Sequence, residues 1–136
     1  MSYLLDTNHL SPLVTPKHHL RQRVIQALAA GESFGICLPC ITETIFGIGL
    51  LPRAKQNRVE WEALLPNFHI YVPDLQDAKD AAELQIALRK QGWQIETVDA
   101  TIAIVAVHYQ LTLLTTDKDF TAVPGLLIEN WLSSRA

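Results

Sequence analysis

Short apolar runs alternate along the chain with segments whose apolar residues return every three or four positions, the pattern of strands interleaved with helices. Tyr3-Leu4-Leu5 reads as a buried strand that ends at Asp6. A helix is expected from Pro16, with Leu20, Val24, Ile25, Leu28 and Ala29 on its inner face and Gly31 closing it. Phe34 to Leu38 reads as a second strand, after which Pro39 turns the chain into a helix beginning near Thr42 and carrying Ile45, Phe46 and Ile48. The next helix, Arg53 to Leu65, turns Arg53, Lys55, Arg58, Glu60 and Glu62 outward and is stopped by Pro66. Phe68 to Val72 alternates like a strand, and Asp77 to Gln91 forms an amphipathic helix closed by Gly92. Thr97 to Tyr109 is apolar on nearly every side, which predicts a buried helix. Leu111 to Thr115 and Leu126 to Ile128 supply the last strands. This alternation predicts an α/β fold, a doubly wound and mostly parallel sheet flanked by helices. No repeat, low-complexity tract or linker interrupts it, so residues 1–136 are expected to form a single domain.

Composition narrows the picture. With 49% hydrophobic and 18% charged residues, the chain is too apolar for disorder. Two cysteines exclude a disulfide scaffold. The opening residues carry neither a basic stretch nor a long apolar run, so no secretory leader is expected. The longest apolar stretch, Ala100 to Val107, falls far short of the ~20 residues of a membrane span. A soluble cytoplasmic protein with no membrane contact is the expectation. The formal charge of −3 excludes a uniformly basic glove for nucleic acid, so any RNA or DNA activity needs something to offset the carboxylates.

The candidate chemistry lies where certain acids fall. Asp6 ends the first strand, Glu43 lies in the first turn of the helix after the second, Asp99 opens the apolar helix, and Asp117 follows the strand Leu111 to Thr115. In a parallel sheet the carboxyl ends of all strands share one edge, where ligands bind, so four acids distant in sequence converge on one cleft. Clustered carboxylates raise one another's pKa unless a cation joins them. Oxygen ligands without Cys or His at metal spacing suit Mg²⁺ or Mn²⁺. Such an ion activates water and stabilises charge on a phosphodiester under in-line attack. Setting four of the 14 acids aside leaves 10 against 11 basic residues, close to neutrality. Each acid also has a plainer reading, since Asp suits helix N-caps and acids suit first helical turns. Thr7, Asn8 and Thr116 are placed to orient carboxylates or a phosphate by hydrogen bonds. Asp119 either binds a second metal or caps a short turn.

At these residues the chain resembles a PIN domain, in particular the VapC-type toxins of bacterial toxin–antitoxin pairs, over essentially its whole length. The resemblance rests on Tyr3-Leu4-Leu5-Asp6-Thr7-Asn8, Thr42-Glu43-Thr44-Ile45-Phe46-Gly47, Val98-Asp99-Ala100-Thr101-Ile102-Ala103 and Leu113-Leu114-Thr115-Thr116-Asp117-Lys118-Asp119-Phe120, with Val123 to Trp131 as the closing strand region. It departs at Thr44, where Leu is common, and at Ile104, where Ala is common. The resemblance implies a metal-dependent endoribonuclease on a doubly wound sheet, usually dimeric and restrained by a cognate antitoxin. Carried over by position, Asp6, Glu43, Asp99 and Asp117 take the acidic roles, with Asp6 and Asp99 as the main Mg²⁺ ligands.

Two basic groups, Lys17 with His18, His19, Arg21 and Arg23, and Arg53 with Lys55 and Arg58, are candidates to hold RNA phosphates, or are solvated helix faces. Ile48-Gly49-Leu50-Leu51 and Trp61 read as core or as a groove for a partner helix. Antitoxins of the resembled family lay a segment there and insert a basic side chain into the acidic pocket. The histidines (His9, His18, His19, His69 and His108) show no zinc spacing and read as structural or surface residues, and Trp93 and Trp131 as packing residues. Three other readings compete. Cys37-Leu38-Pro39-Cys40 has the form of a thiol–disulfide oxidoreductase pair. A phosphoacceptor receiver domain would use Asp74 with Thr116 and Lys118, but needs paired acids after the first strand and leaves Glu43 idle. A PIN-like binding module without catalysis would not need the intact acidic set.

Overall fold

Five strands, all parallel, lie in the order β3-β2-β1-β4-β5 in the computed structural model, which describes residues 1–133. They are β1 (Ser2–Leu5), β2 (Ser33–Cys37), β3 (His69–Tyr71), β4 (Thr112–Leu114) and β5 (Leu127–Glu129). The predicted strands are all present, and the sheet is wholly rather than mostly parallel. The end of the expected single domain, residues 134–136, lies outside the described residues.

The apolar residues explain the order. Leu4 and Leu5 in β1, Ile36 in β2 and Leu113 and Leu114 in β4 are all fully buried, as strands covered on both faces must be. From β1 the chain steps outward to β2 and β3, then returns across the sheet to place β4 on the other side of β1. Right-handed crossovers then put the two sets of helices on opposite faces. One set contains α1 (Thr7–Leu10), α2 (His19–Ala29), α3 (Leu38–Gly49) and α4 (Ala54–Leu64); the other packs α5 (Leu75–Lys90) against α6 (Thr97–His108). The direction of winding reverses between β1 and β4, and a crevice at the carboxyl ends of those strands is the usual ligand site of such a sheet.

Local signals account for most boundaries. Gly31 and Gly92 close α2 and α5 at φ of +92° and +81°, conformations that a side chain would strain. Asp74 and Asp77 start α5 with a reciprocal capping box, each carboxylate accepting the other's main-chain N–H at 2.9 Å. That box moves the start of the helix ahead of the expected Asp77. Gly35 in β2 has a different task. A Cβ there would collide with the ring of Tyr71 on the adjacent β3.

Four expectations need correction. The helix expected from Pro16 starts only at His19, where the His18 ring accepts the Leu20 N–H, and the unassigned stretch before it holds α1 and a 3₁₀ turn (Ser11–Val14). Within α2, Ile25 is 47% exposed and Ala29 also faces outward, so the inner face is carried by Leu20, Val24 and Ala27. The helix expected near Thr42 starts at Leu38, with Pro39 inside its first turn where the missing N–H costs nothing. Glu43 therefore stands in the second turn. Finally, the Ile48–Leu51 and Trp61 group divides: Ile48 and Trp61 are core, whereas Leu50 is 71% exposed.

Candidate active site

Asp6 stands at the crevice, one residue beyond β1, and is only 7% exposed. Its main-chain N–H still donates to Leu114 of β4, so the strand pairing itself aims the residue. Three donors hold its carboxylate. Oδ1 accepts from the Thr7 N–H at 2.8 Å, and Oδ2 accepts from the Thr115 hydroxyl at 2.7 Å and the Asn8 side-chain amide at 3.1 Å. Burial nonetheless pushes the Asp6 carboxyl above the usual range; the Thr115 and Thr7 hydrogen bonds oppose this, and the charges of Asp117 and Glu43 add to it.

The other acids face the same place from separate elements. Glu43 on α3 is exposed, and its Oε1 accepts from the Thr7 hydroxyl at 3.0 Å. Asp117 follows β4 and caps a 3₁₀ turn (Lys118–Ala122), its Oδ1 accepting from the Asp119 N–H at 2.8 Å. The Asp117 N–H in turn donates to the Thr115 hydroxyl oxygen at 3.0 Å. Asp99, in the first turn of α6, does not cap the helix, which begins after Glu96 without a side-chain cap. Burial, followed by the charges of Asp6, Asp117, Glu43 and Asp119, pushes Asp99 up to about 6. One carboxyl thus feels the three other junction acids and Asp119 as well.

These observations bear on a cation. Every donor is a carboxylate oxygen, the chemistry of a hard divalent ion. Among the described residues no Lys or Arg forms an ion pair with Asp6, Glu43, Asp99 or Asp117. No set of three or more His, Cys, Asp or Glu side chains among the described residues is drawn together as a cation cage. The acids meet through the field they exert on one another. A buried acid and a half-buried one, both raised by burial first and by neighbouring carboxylates in addition, are what a divalent cation would relieve, so the chemistry of the residues fits such an ion.

Thr115 is not among the residues the sequence singles out, yet its hydroxyl serves the site by joining Asp6 to the Asp117 N–H. Thr115 is buried beyond the end of β4, and the signal that could find it is a hydroxyl residue closing a wholly buried strand just ahead of Asp117. Thr116 takes part through its main-chain N–H, which donates to Asn8 Oδ1 at 3.2 Å. The Asp119 carboxylate is exposed, while its carbonyl accepts from the Trp93 indole at 3.0 Å and so pins the turn.

Several expected phosphate holders serve the fold instead. Arg21 pairs with Glu60 at 2.7 Å, Arg58 pairs with Glu62 at 3.1 Å, and Arg23 lies 3.8 Å over the Trp131 ring. Lys17, Arg53 and Lys55 are exposed. The competing readings fail on the geometry. Cys37 and Cys40 are free but buried, with burial pushing the Cys37 thiol up to about 12 and Cys40 higher still, the opposite of a reactive thiolate. Asp74 follows the edge strand β3, two strands from β1, and its carboxylate is committed to the α5 cap.

Known proteins share this architecture. Ribonuclease VapC2 of Rickettsia felis is 26% identical over 132 residues, covering 96% of this chain and 98% of its own. The crystal structure of VapBC2 from Rickettsia felis bound to a DNA fragment from their promoter superposes with a TM-score of 0.82 at 25% identity, covering 96% of this chain and 99% of that one. A toxin–antitoxin complex from Klebsiella pneumoniae is 30% identical, with a TM-score of 0.63 over 92% of this chain and 95% of the other. The family model of the PIN domain matches residues 3–126, a span that holds all four junction acids. The chain therefore belongs to the PIN domain family.

Proposed function

We propose that this protein is a divalent-metal-dependent endoribonuclease, the toxin of a toxin–antitoxin pair, acting on single-stranded or structured RNA in the cytoplasm. The observation that carries the reading is the buried Asp6 carboxylate at the β1–β4 crevice, facing Glu43, Asp99 and Asp117. The names of the relatives supply its biological setting.

Asp6 and Asp99 would hold Mg²⁺ or Mn²⁺, with Glu43 and Asp117 completing the set directly or through water. When bound, the ion supplies a lowered water pKa and charge neutralisation at the phosphodiester. The protein's own residues do the positioning. Thr115 and Asn8 fix Asp6 Oδ2, the Thr7 N–H fixes Oδ1 while its hydroxyl steadies Glu43, and Asp119 orients Asp117 through its N–H. Exposed Lys17, Arg53 and Lys55 are available to RNA phosphates.

A partner surface adjoins the first helical layer. Phe46, Leu50 and Val59 are each about two-thirds exposed or more on α3, the segment after it and α4. Beside them, a groove of about 460 Å³ runs between Val14–Pro16 and Leu51–Arg53. This face suits an antitoxin helix, and a homodimer is the expected state of the free protein. The groove is thus a partner site and holds none of the four acids.

The test is direct. Purified protein without antitoxin is expected to cleave RNA with Mg²⁺ or Mn²⁺ and to stop on addition of EDTA. Asp6→Asn and Asp99→Asn should each abolish cleavage while leaving the fold intact by circular dichroism. Full activity in either variant would overturn the reading. Size-exclusion chromatography showing a monomer at micromolar concentration would overturn the dimer.

A further inference from the structure

His9 is fully buried directly below the acidic crevice, and both of its ring nitrogens are engaged. The Trp131 main-chain N–H, which can only donate, lies 3.0 Å from Nε2. Nε2 therefore carries no proton, and the ring's single proton sits on Nδ1. Nδ1 lies 2.7 Å from Asn8 Oδ1, to which it donates. The Thr116 N–H donates to the same oxygen at 3.2 Å. With Oδ1 held by two fixed donors, the Asn8 NH₂ turns the other way, towards Asp6 Oδ2 at 3.1 Å and the Thr115 hydroxyl at 3.3 Å. Every donor and acceptor in this chain is consistent with one arrangement. The reversed amide would set Asn8 Oδ1 against a carboxylate oxygen.

We propose that His9 is a positioning residue for the acidic site: its ring joins the Trp131 main chain to Asn8 and so fixes which end of the Asn8 amide faces Asp6. The inference rests on the nuclease reading for its catalytic consequence, but the orientation of Asn8 does not. Burial, with Arg23 nearby, keeps the ring neutral by holding its pKa down at about 4, so the same tautomer persists at neutral pH. The far end of the relay is anchored firmly. The Trp131 ring packs edge-on against Tyr3 and Phe34, Arg23 covers it, and its indole N–H donates to Glu129 at 2.9 Å. A conformational choice at the catalytic edge is thereby set by a segment that follows the last strand.

Two substitutions separate the two nitrogens, because an Asn amide nitrogen can take the place of Nδ1 and a Gln amide oxygen that of Nε2. His9→Gln keeps the acceptor for Trp131 and loses the donor to Asn8; His9→Asn does the reverse. Expected for His9→Gln is a kcat for RNA cleavage lower by ~10- to 100-fold with little change in KM, and weaker Mn²⁺ binding by calorimetry. His9→Asn should recover most of the kcat and of the Mn²⁺ affinity, at a lower Tm. Wild-type kcat and Mn²⁺ affinity in His9→Gln, or equal losses in both variants that follow the unfolded fraction, would overturn the proposal. Should His9→Asn not fold, the Asn8 side-chain NH₂ signals in folded His9→Gln decide alone. Loss of their protection from solvent exchange supports the relay, and unchanged signals overturn it. If the wild type cleaves no RNA, the nuclease reading fails by itself, while the NH₂ signals and the Mn²⁺ affinity still test His9.

Discussion

The Thr115 hydroxyl donates to Asp6 Oδ2 at 2.7 Å across a separation of 109 residues, and the same oxygen atom accepts the Asp117 N–H at 3.0 Å. One buried hydroxyl thus ties the acid that follows β1 to the acid that follows β4. Thr115→Val keeps the shape and removes the tie. Its expected effect is a loss of RNA-cleaving kcat of ~10-fold or more with the fold retained, and Thr115→Ser should restore most of it. Steady-state kinetics on the three proteins checks this.

Asp99 lowers the stability of the metal-free protein. A carboxyl whose folded pKa is raised to about 6 is penalised as pH climbs from its unfolded value through 6, and the penalty stays above that. Because the group is only half-buried, solvent screening reduces the cost to about 1 kcal/mol. In EDTA, Asp99→Asn should therefore be more stable than wild type at pH 7.5 and equal to it below pH 4, by thermal unfolding. Saturating Mn²⁺ should stabilise wild type more than the variant.

Acid should release the second helical layer. Burial raises the Asp77 carboxyl, but the Asp74 N–H and His108 outweigh it and hold the group below the usual carboxylate range. His108 Nδ1 lies 2.7 Å from Asp77 and Nε2 3.1 Å from Asp80, linking the end of α6 to the start of α5. A depressed pKa contributes stability above the unfolded value of 3.8 that is lost as pH falls through the folded value. Asp77→Asn should thus flatten the fall in stability below pH 4, as followed by urea unfolding across pH.

Thr44 carries a cost that the fold does not need. The residue is fully buried in α3, and its hydroxyl has no hydrogen-bond partner. Thr44→Val preserves the branched shape and removes the unsatisfied group, so a gain of about 1 kcal/mol in urea unfolding is expected. RNA cleavage should be unaffected.

How much of this is legible in the sequence depends on the range of the interaction involved. Apolar periodicity reveals β1, β2, β4 and α6 because each is buried on most sides and its pattern is local. Asp6 and Asp117 stand out because a charge placed directly after a buried strand of a parallel sheet must face the edge where ligands bind, and Glu43 and Asp99 because their helices enter from that same edge. The short α1 is not legible: Thr7-Asn8-His9-Leu10 has no helical period, and its residues are held by contacts with Glu43, Asp6 and Trp131 instead. Ile25 reads as inward because it is apolar, yet α2 needs only Leu20, Val24 and Ala27 against the sheet. The basic clusters mislead for a similar reason, since Arg21 and Arg23 meet Glu60 and Trp131, partners distant in sequence.

The placement of β4 beside β1 has a consequence for the protein during its own synthesis. Asp6 leaves the ribosome among the first residues, but Thr115 and Asp117 emerge only after more than a hundred others, and the pairing that joins them cannot close earlier. The acidic crevice is therefore one of the last parts of the fold that can be completed, because Asp6 has neither its Thr115 tie nor its β4 neighbour until the chain beyond residue 115 has joined the sheet.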